Sequence, residues 1–175
     1  MYFNNFPIIP YDSVGDGNIK LVTNLLKRVA LRSKVRTNTL LFETYDVRDG
    51  ETPEMLANKL YGDPNLHWVI LYVNNVTDRY HQWPMTSAQF NAFLTEKYSD
   101  PDSLHHYEIT QTSGNTTVRI DIGTDNTEHS DATTITNREF EEERQDTLRK
   151  IRLLDPAYLD QFVGEFETLI KKSIL

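Results

Sequence analysis

The chain contains no cysteine, so neither a disulfide framework nor a thiolate metal site can hold the fold together. Positive charge is also short, with 18 Lys and Arg against 26 Asp and Glu and a net charge of −8 over 175 residues. Phosphate contacts need clustered basic side chains, so nucleic acid is not an expected partner. No apolar run reaches the roughly 20 residues that cross a bilayer, which gives no expectation of a membrane partner. The first residues, MYFNNFPIIPYD, lack the basic start and continuous apolar stretch of an export signal. Catalytic signatures are equally scarce: there is no Cys nucleophile, G-x-S-x-G elbow, phosphate-cradling glycine loop or H-E-x-x-H helix. His105-His106 is the obvious metal pair, yet neighbours on a strand point to opposite faces and cannot chelate one ion together. Glu139, Glu141, Glu142 and Glu143, with Arg138 and Arg144 close by, read as a solvated helix face with ordinary ion pairs. The expectation is no enzyme, no catalytic residue, no cofactor and no metal.

What the sequence does carry is concentrated between Tyr45 and Asn75. Alternation over 41–48 predicts a strand that stops at Asp49-Gly50. Thr52 is placed to cap a helix with Pro53 at its first position, where a missing N–H costs nothing. Met55, Leu56 and Leu60 would form its apolar face, Gly62 its left-handed stop, and Asp63-Pro64 the start of the next helix. That second helix holds Leu66, Trp68, Val69, Leu71, Tyr72 and Val73, too apolar all round to face water. Trp68 is expected in the core against Leu56, Leu60 and the strand around Tyr45.

The remaining elements are smaller. Residues 1–17 form an extended, proline-punctuated arm with Phe3, Phe6, Ile8, Ile9 and Tyr11 as anchors, packing either on its own domain or on a partner. Ile19, Val22, Leu26, Val29 and Ala30 are spaced as on a helix over 18–32. Thr86 to Gln89 and Thr136 to Glu139 are both capping boxes, each fixing a helix start. Residues 107–111 and 117–122 alternate across a Ser113-Gly114-Asn115 turn as a hairpin, followed by a polar loop over 123–134. A lone hairpin is marginal in water and needs either the body of the protein or another chain to lean on. Residues 148–154 fit either a strand or an extension of the preceding helix. Asp155-Pro156 opens a terminal helix in which Leu159, Phe162, Val163, Phe166, Leu169 and Ile170 recur at offsets 0, 3, 4, 7, 10 and 11.

The D-G-E-T turn after a strand, the L-Y-G helix end and the H-W-V-I-L-Y-V-N-N helix resemble the first three elements of the βααβ LysM module. Where that module gives a short second strand, the chain reads Asp78-Arg79-Tyr80-His81-Gln82-Trp83-Pro84-Met85. Trp83-Pro84-Met85-Thr86, then Lys97-Tyr98, His105-His106-Tyr107-Glu108 and Thr136-Asn137-Arg138-Glu139-Phe140-Glu141 follow in order. Together with Phe3-Asn4-Asn5-Phe6-Pro7 they are similar to the LysM-like baseplate wedge proteins of contractile-tailed, T-even-type bacteriophages. The resemblance implies a structural subunit of the virion tail baseplate, assembled in the bacterial host cytoplasm, that joins neighbouring wedges of a six-fold ring around the hub. Its partners would be other baseplate wedge proteins. The alternatives are a peptidoglycan- or chitin-binding LysM protein, whose site would be lined by 49–53 and 74–77, and a cell-wall hydrolase. The missing second strand argues against glycan binding.

The fold class expected is α+β: a LysM-like strand-helix-helix core with an added helix, a β-hairpin, a C-terminal amphipathic helix and an extended N-terminal arm. Its segments would be 1–38 (arm and helix), 39–85 (module), 86–104 (capped helix and linker), 105–135 (hairpin and polar loop) and 136–175 (helical region). Large aromatic anchors dominate binding hot spots. The protein-interface candidates are therefore Phe3, Phe6 and Ile9 of the arm, Tyr80 and Trp83 of the turn, and Phe162 and Phe166 of the terminal helix.

Overall fold

Helix and sheet are mixed in the computed structural model, which describes residues 2–31, 40–111, 114 and 117–172. The chain divides into two compact units, one of Met1–Asp46, Glu51–Gln82 and Ile151–Leu175, the other of Val47–Gly50 and Trp83–Lys150.

The first unit is built around the segment with the clearest boundary chemistry. Strand β3 (Phe42–Asp46) leads to helix α1 (Pro53–Tyr61), a 3-10 turn (Pro64–Leu66) and helix α2 (His67–Val73). The Thr52 side chain accepts the Met55 N–H, Pro53 opens α1, and Gly62 closes it at φ 72°. Asp63 repeats the device by accepting from Asn65. The inward face of α1 is Pro53, Leu56 and Ala57; Met55, expected on it, is exposed.

Where residues 78–85 depart in sequence from a strand, the chain forms the short helix α3 (Arg79–Gln82), and β3 finds its partner far downstream. Strand β7 (Lys150–Leu154) pairs with β3. Asp155 N–H donates to Leu41 C=O at 3.0 Å, so the end of β7 meets the start of β3 and the pair runs antiparallel. The two readings left open for 148–154 divide at this point: the helix runs to Arg149 and the strand follows. Asn74, just after α2, clamps β7 from the side. Its Oδ1 accepts the Arg152 N–H and its Nδ2 donates to the Arg152 C=O, both at 2.8 Å, in the manner of a neighbouring strand. Asn74→Ala is expected to cost about 1–3 kcal/mol, since both Arg152 backbone groups lose a partner at once. Urea unfolding checks this.

The core of the unit gathers Phe6, Trp68, Val69, Val73, Leu154, Phe166 and Ile170. Trp68 is buried as expected, but the rings around it come from the two ends of the chain: Tyr2 at 5.3 Å, Phe162 at 6.3 Å and Phe166 at 4.6 Å. Phe166, Phe162 and Ile170 lie on the terminal helix α6 (Leu159–Lys172), whose apolar stripe thus faces its own unit. Tyr61 hydroxyl donates to Leu154 C=O at 3.1 Å, and burial pushes its pKa up to about 12.

The N-terminal region departs from expectation. Residues Tyr2–Asn5 form a 3-10 turn, and β1 (Ile8–Tyr11) pairs antiparallel with β2 (Lys20–Thr23). No helix occupies residues 18–31; residue 32 lies outside the described residues. Helical spacing over so few apolar residues also fits alternation. The turn decides, because Asp12 accepts N–H groups from Val14, Gly15 and Gly17 and folds the chain back on β1.

In the second unit, helix α4 (Ser87–Lys97) and helix α5 (Asn137–Arg149) both start in complete capping boxes, at Thr86–Gln89 and Thr136–Glu139. The hairpin has β4 (Leu104–Thr110) and β5 (Arg119–Asp121) as its strands; residues 113 and 115 of its turn lie outside the described residues. It does not wait for another chain. Strand β6 (Thr133–Thr136) joins the far side of β4 in the order β5-β4-β6, so the polar stretch read as a loop ends in a strand at Thr133. Ile135 and His106, which face each other across β4 and β6, are buried within the unit.

Candidate functional site

The seven interface candidates fall into three kinds of place. Phe6, Trp83 and Phe166 are buried at 8%, 7% and 4% exposure, Phe6 and Phe166 within the core cluster of the first unit. Ile9 and Phe162 are half-buried. Phe3 and Tyr80 stand out at 60% and 87% exposure. Sequence reasoning favoured aromatics, but the exposed apolar surface is largely aliphatic and sits on the N-terminal hairpin and its flanks. Ile8, Val14, Ile19, Leu21, Leu25 and Leu26 are exposed by 60% or more. An alternation test on 19–23 could have found it. Elsewhere in the same unit, an apolar groove of about 820 Å³ opens between Val29, Leu31 and Tyr72 and the Phe162, Phe166 and Leu169 side of α6.

The polar clusters are internal struts. Both rings of His105-His106 turn to the same side, because a bulge between Leu104 and His106 interrupts the β4–β6 register and breaks strand alternation. Their Nδ1 atoms lie 2.8 Å apart, His106 Nε2 is 3.2 Å from Glu108 Oε1, and Phe140 stacks on His105 at 4.0 Å. A carboxylate can only accept, so in the neutral pair His106 donates from Nε2 and its Nδ1 accepts from His105 Nδ1–H. The two nitrogens satisfy each other and leave no pair of lone pairs for an ion. Among the described residues no group of three or more potential metal ligands occurs.

Of the carboxylates on α5, Glu141 alone differs from the solvated face expected of them. Glu141 is 1% exposed and takes Lys97 Nζ at 2.5 Å and Tyr98 hydroxyl at 3.0 Å. Burial works to raise its pKa, but those two hydrogen bonds and the Lys97 and Arg144 charges outweigh it and hold the group below the ordinary carboxylate value. Asn137 and Gln145 flank it at four-residue spacing, both buried; Asn137 donates to Asp100 C=O and Ser103 Oγ, and Gln145 accepts the Met85 N–H. Glu139 is the capping-box partner of Thr136, and Glu142 and Glu143 are exposed.

Four positions of the stretches that would read a sugar, 49–53 and 74–77, are occupied in the same way. Asp49 accepts from Ser87 N–H and Oγ–H at 2.9 and 2.8 Å, which lowers its pKa. Thr52 caps α1, Asn74 clamps β7, and Thr77 N–H donates to Gln82 Oε1 at 2.8 Å.

Comparison with known proteins bears on a site built this way. The family model described as base plate wedge protein 53 matches residues 1–168. The chain belongs to that family. Over 57 residues it is 35% identical to the baseplate wedge protein gp53 of Enterobacteria phage T4. The aligned stretch covers 33% of this chain and 29% of that protein's length. The family is one of phage tail baseplate structural proteins and not of enzymes.

Proposed function

We propose that this chain joins neighbouring baseplate wedges into a ring around the tail hub, binding other wedge proteins of the six-fold assembly through surfaces and carrying out no reaction. The observation that supports this most is the set of exposed aliphatic side chains on the N-terminal hairpin and its flanks, with Leu21 at 77% and Leu26 at 93% exposure. Scattered single apolar residues are normal on a surface, but a ribbon of them on a short hairpin marks an interaction site. Assembly in the host cytoplasm and absence of nucleic acid from the partners belong to the same reading.

The strand-helix-helix-strand order β3-α1-α2-β7 makes the first unit LysM-like in this view, with its last strand supplied from far downstream in place of the next few residues. That strand removes one ground for expecting no glycan binding. The stronger ground is that Asp49, Thr52, Asn74 and Thr77 already spend their polar atoms inside the protein. The purified chain is expected to stay in the supernatant with insoluble peptidoglycan or chitin and to leave no lytic zone on a peptidoglycan gel. Phage made without it should accumulate separate wedges, free heads and no complete tails. Saturable, micromolar glycan binding together with normal tails in its absence would overturn the proposal.

A further inference from the structure

The N-terminal hairpin has two outer edges, and they differ in kind. Asn24 N–H donates to Pro7 C=O at 2.8 Å. This makes 7 and 24 a hydrogen-bonded pair, and alternation along an antiparallel ladder then assigns the inward groups to Ile9, Tyr11, Lys20 and Val22. The backbone groups of Ile8, Pro10, Leu21 and Thr23 point away from the hairpin. On β1 this edge is blunted, because Pro10 has no N–H to offer an incoming strand. On β2 it is complete: Leu21 and Thr23 each present both N–H and C=O, and neither amide has a partner among the described residues.

The side chains state what kind of strand would fit. Ile8, Pro10, Leu21 and Thr23 share one face of the ribbon. Ile8 and Leu21 are 66% and 77% exposed, and Ile19, at 68%, lies beside them toward the turn. A strand added to β2 must carry apolar side chains at alternate positions to cover that face. Lys20 is exposed on the other face and favours an acidic residue there. The edge is also held in place in advance: Asp12 accepts from Val14, Gly15 and Gly17 at 3.2, 2.7 and 2.9 Å, so binding need not order the turn.

We propose that the outer edge of β2 accepts an extended strand from a different baseplate protein, converting the two-stranded ribbon into a three-stranded sheet. The inference rests on the inter-wedge reading above, which also selects the occupant. Pairing β2 with β2 of a second copy is isologous, closes at a dimer and cannot propagate around a ring. A different chain supplies the strand.

Leu21→Pro and Ile8→Pro test this as a pair, each removing one outward amide while leaving the inward ladder intact. The probe is the mixture of purified wedge proteins of the same phage, and amide exchange is followed in the full chain before and after incorporation. Leu21→Pro should weaken incorporation about tenfold or more and Ile8→Pro less than about twofold, with both variants showing the native spectrum. The Leu21 and Thr23 amides should exchange freely in the isolated protein and become protected on assembly. Incorporation with these amides still unprotected, or with the two variants equally affected, overturns the edge and leaves the wedge reading standing. Protection of the same amides in the purified chain alone would assign the edge to a second copy and overturn the occupant. Failure of the chain to enter wedge assemblies at all would bring down both.

Discussion

Trp68→Ala is expected to lower stability by about 3–5 kcal/mol, the range for truncating a buried Trp. The upper part of that range applies because Trp68 is where three distant pieces of chain meet. Its ring lies 5.3 Å from Tyr2, 4.6 Å from Phe166 and 6.4 Å from Tyr72, and Phe6 and Leu154 belong to the same cluster. Collapse cannot fill the hole, since Val69 and Ile70 beside it on α2 are already fully enclosed. The loss should also appear as freer exchange of α6 amides and increased mobility of residues 2–6, which a purely local defect would not produce. Unchanged melting would show that the tryptophan is not the centre of this core.

Glu141→Ala should cost about 2–3 kcal/mol. Breaking a fully buried ion pair typically costs ~3–5 kcal/mol because the surviving charge is stranded. Here the survivor is Lys97, whose side chain is 41% exposed and can turn to water, so the value falls below that range. What remains is the lost bond to Tyr98 and the void on the inward face of α5. The sign of the pH dependence follows from the depressed pKa of Glu141. The unfolded chain binds a proton near the ordinary value of 4.5, while the folded protein resists it. The stabilisation is full above that value and is lost as the pH falls through the lower folded one. The gap between wild type and Glu141→Ala should therefore narrow on acidification toward the pH-independent cost of the void, and a constant difference down to strongly acid pH would contradict the assignment.

Local chemistry was legible in the sequence and long-range pairing was not. The Thr52, Thr86 and Thr136 caps, the Gly62 stop and the boundaries of α1 stand as read, because each depends on residues within one turn, whereas Asp63-Pro64, read as the start of the second helix, opens a 3-10 turn and α2 begins at His67. The partner of β3 was invisible, since Ile151, Leu153 and Leu154 carry no mark of the strand they will meet. The apolar spacing over 19–30 suited a helix, and only the carboxylate of Asp12 reaching three backbone amides made it a hairpin. On α5 the rule that apolar residues point inward failed outright: the buried stripe is Asn137, Glu141 and Gln145, each satisfied by loop or helix groups that no periodicity reveals. The His105-His106 pair converged through a bulge, a feature of register that the sequence of one strand does not encode.

For the binding surfaces, preference for large aromatics placed Phe6, Trp83 and Phe166 outside when folding had more use for them inside. Aromatics bury the most area per residue, so in a chain with small cores they are claimed first. The aliphatic residues of the hairpin, less valuable to the core, are what is left exposed.

Closing a ring of wedges is the role proposed for the chain. Electron microscopy of purified wedges mixed with hub, with and without this protein, measures that directly. Closed six-fold rings are expected only when it is present, and separate wedges when it is omitted or when Leu21→Pro replaces it. Rings that close equally well without it would contradict the account.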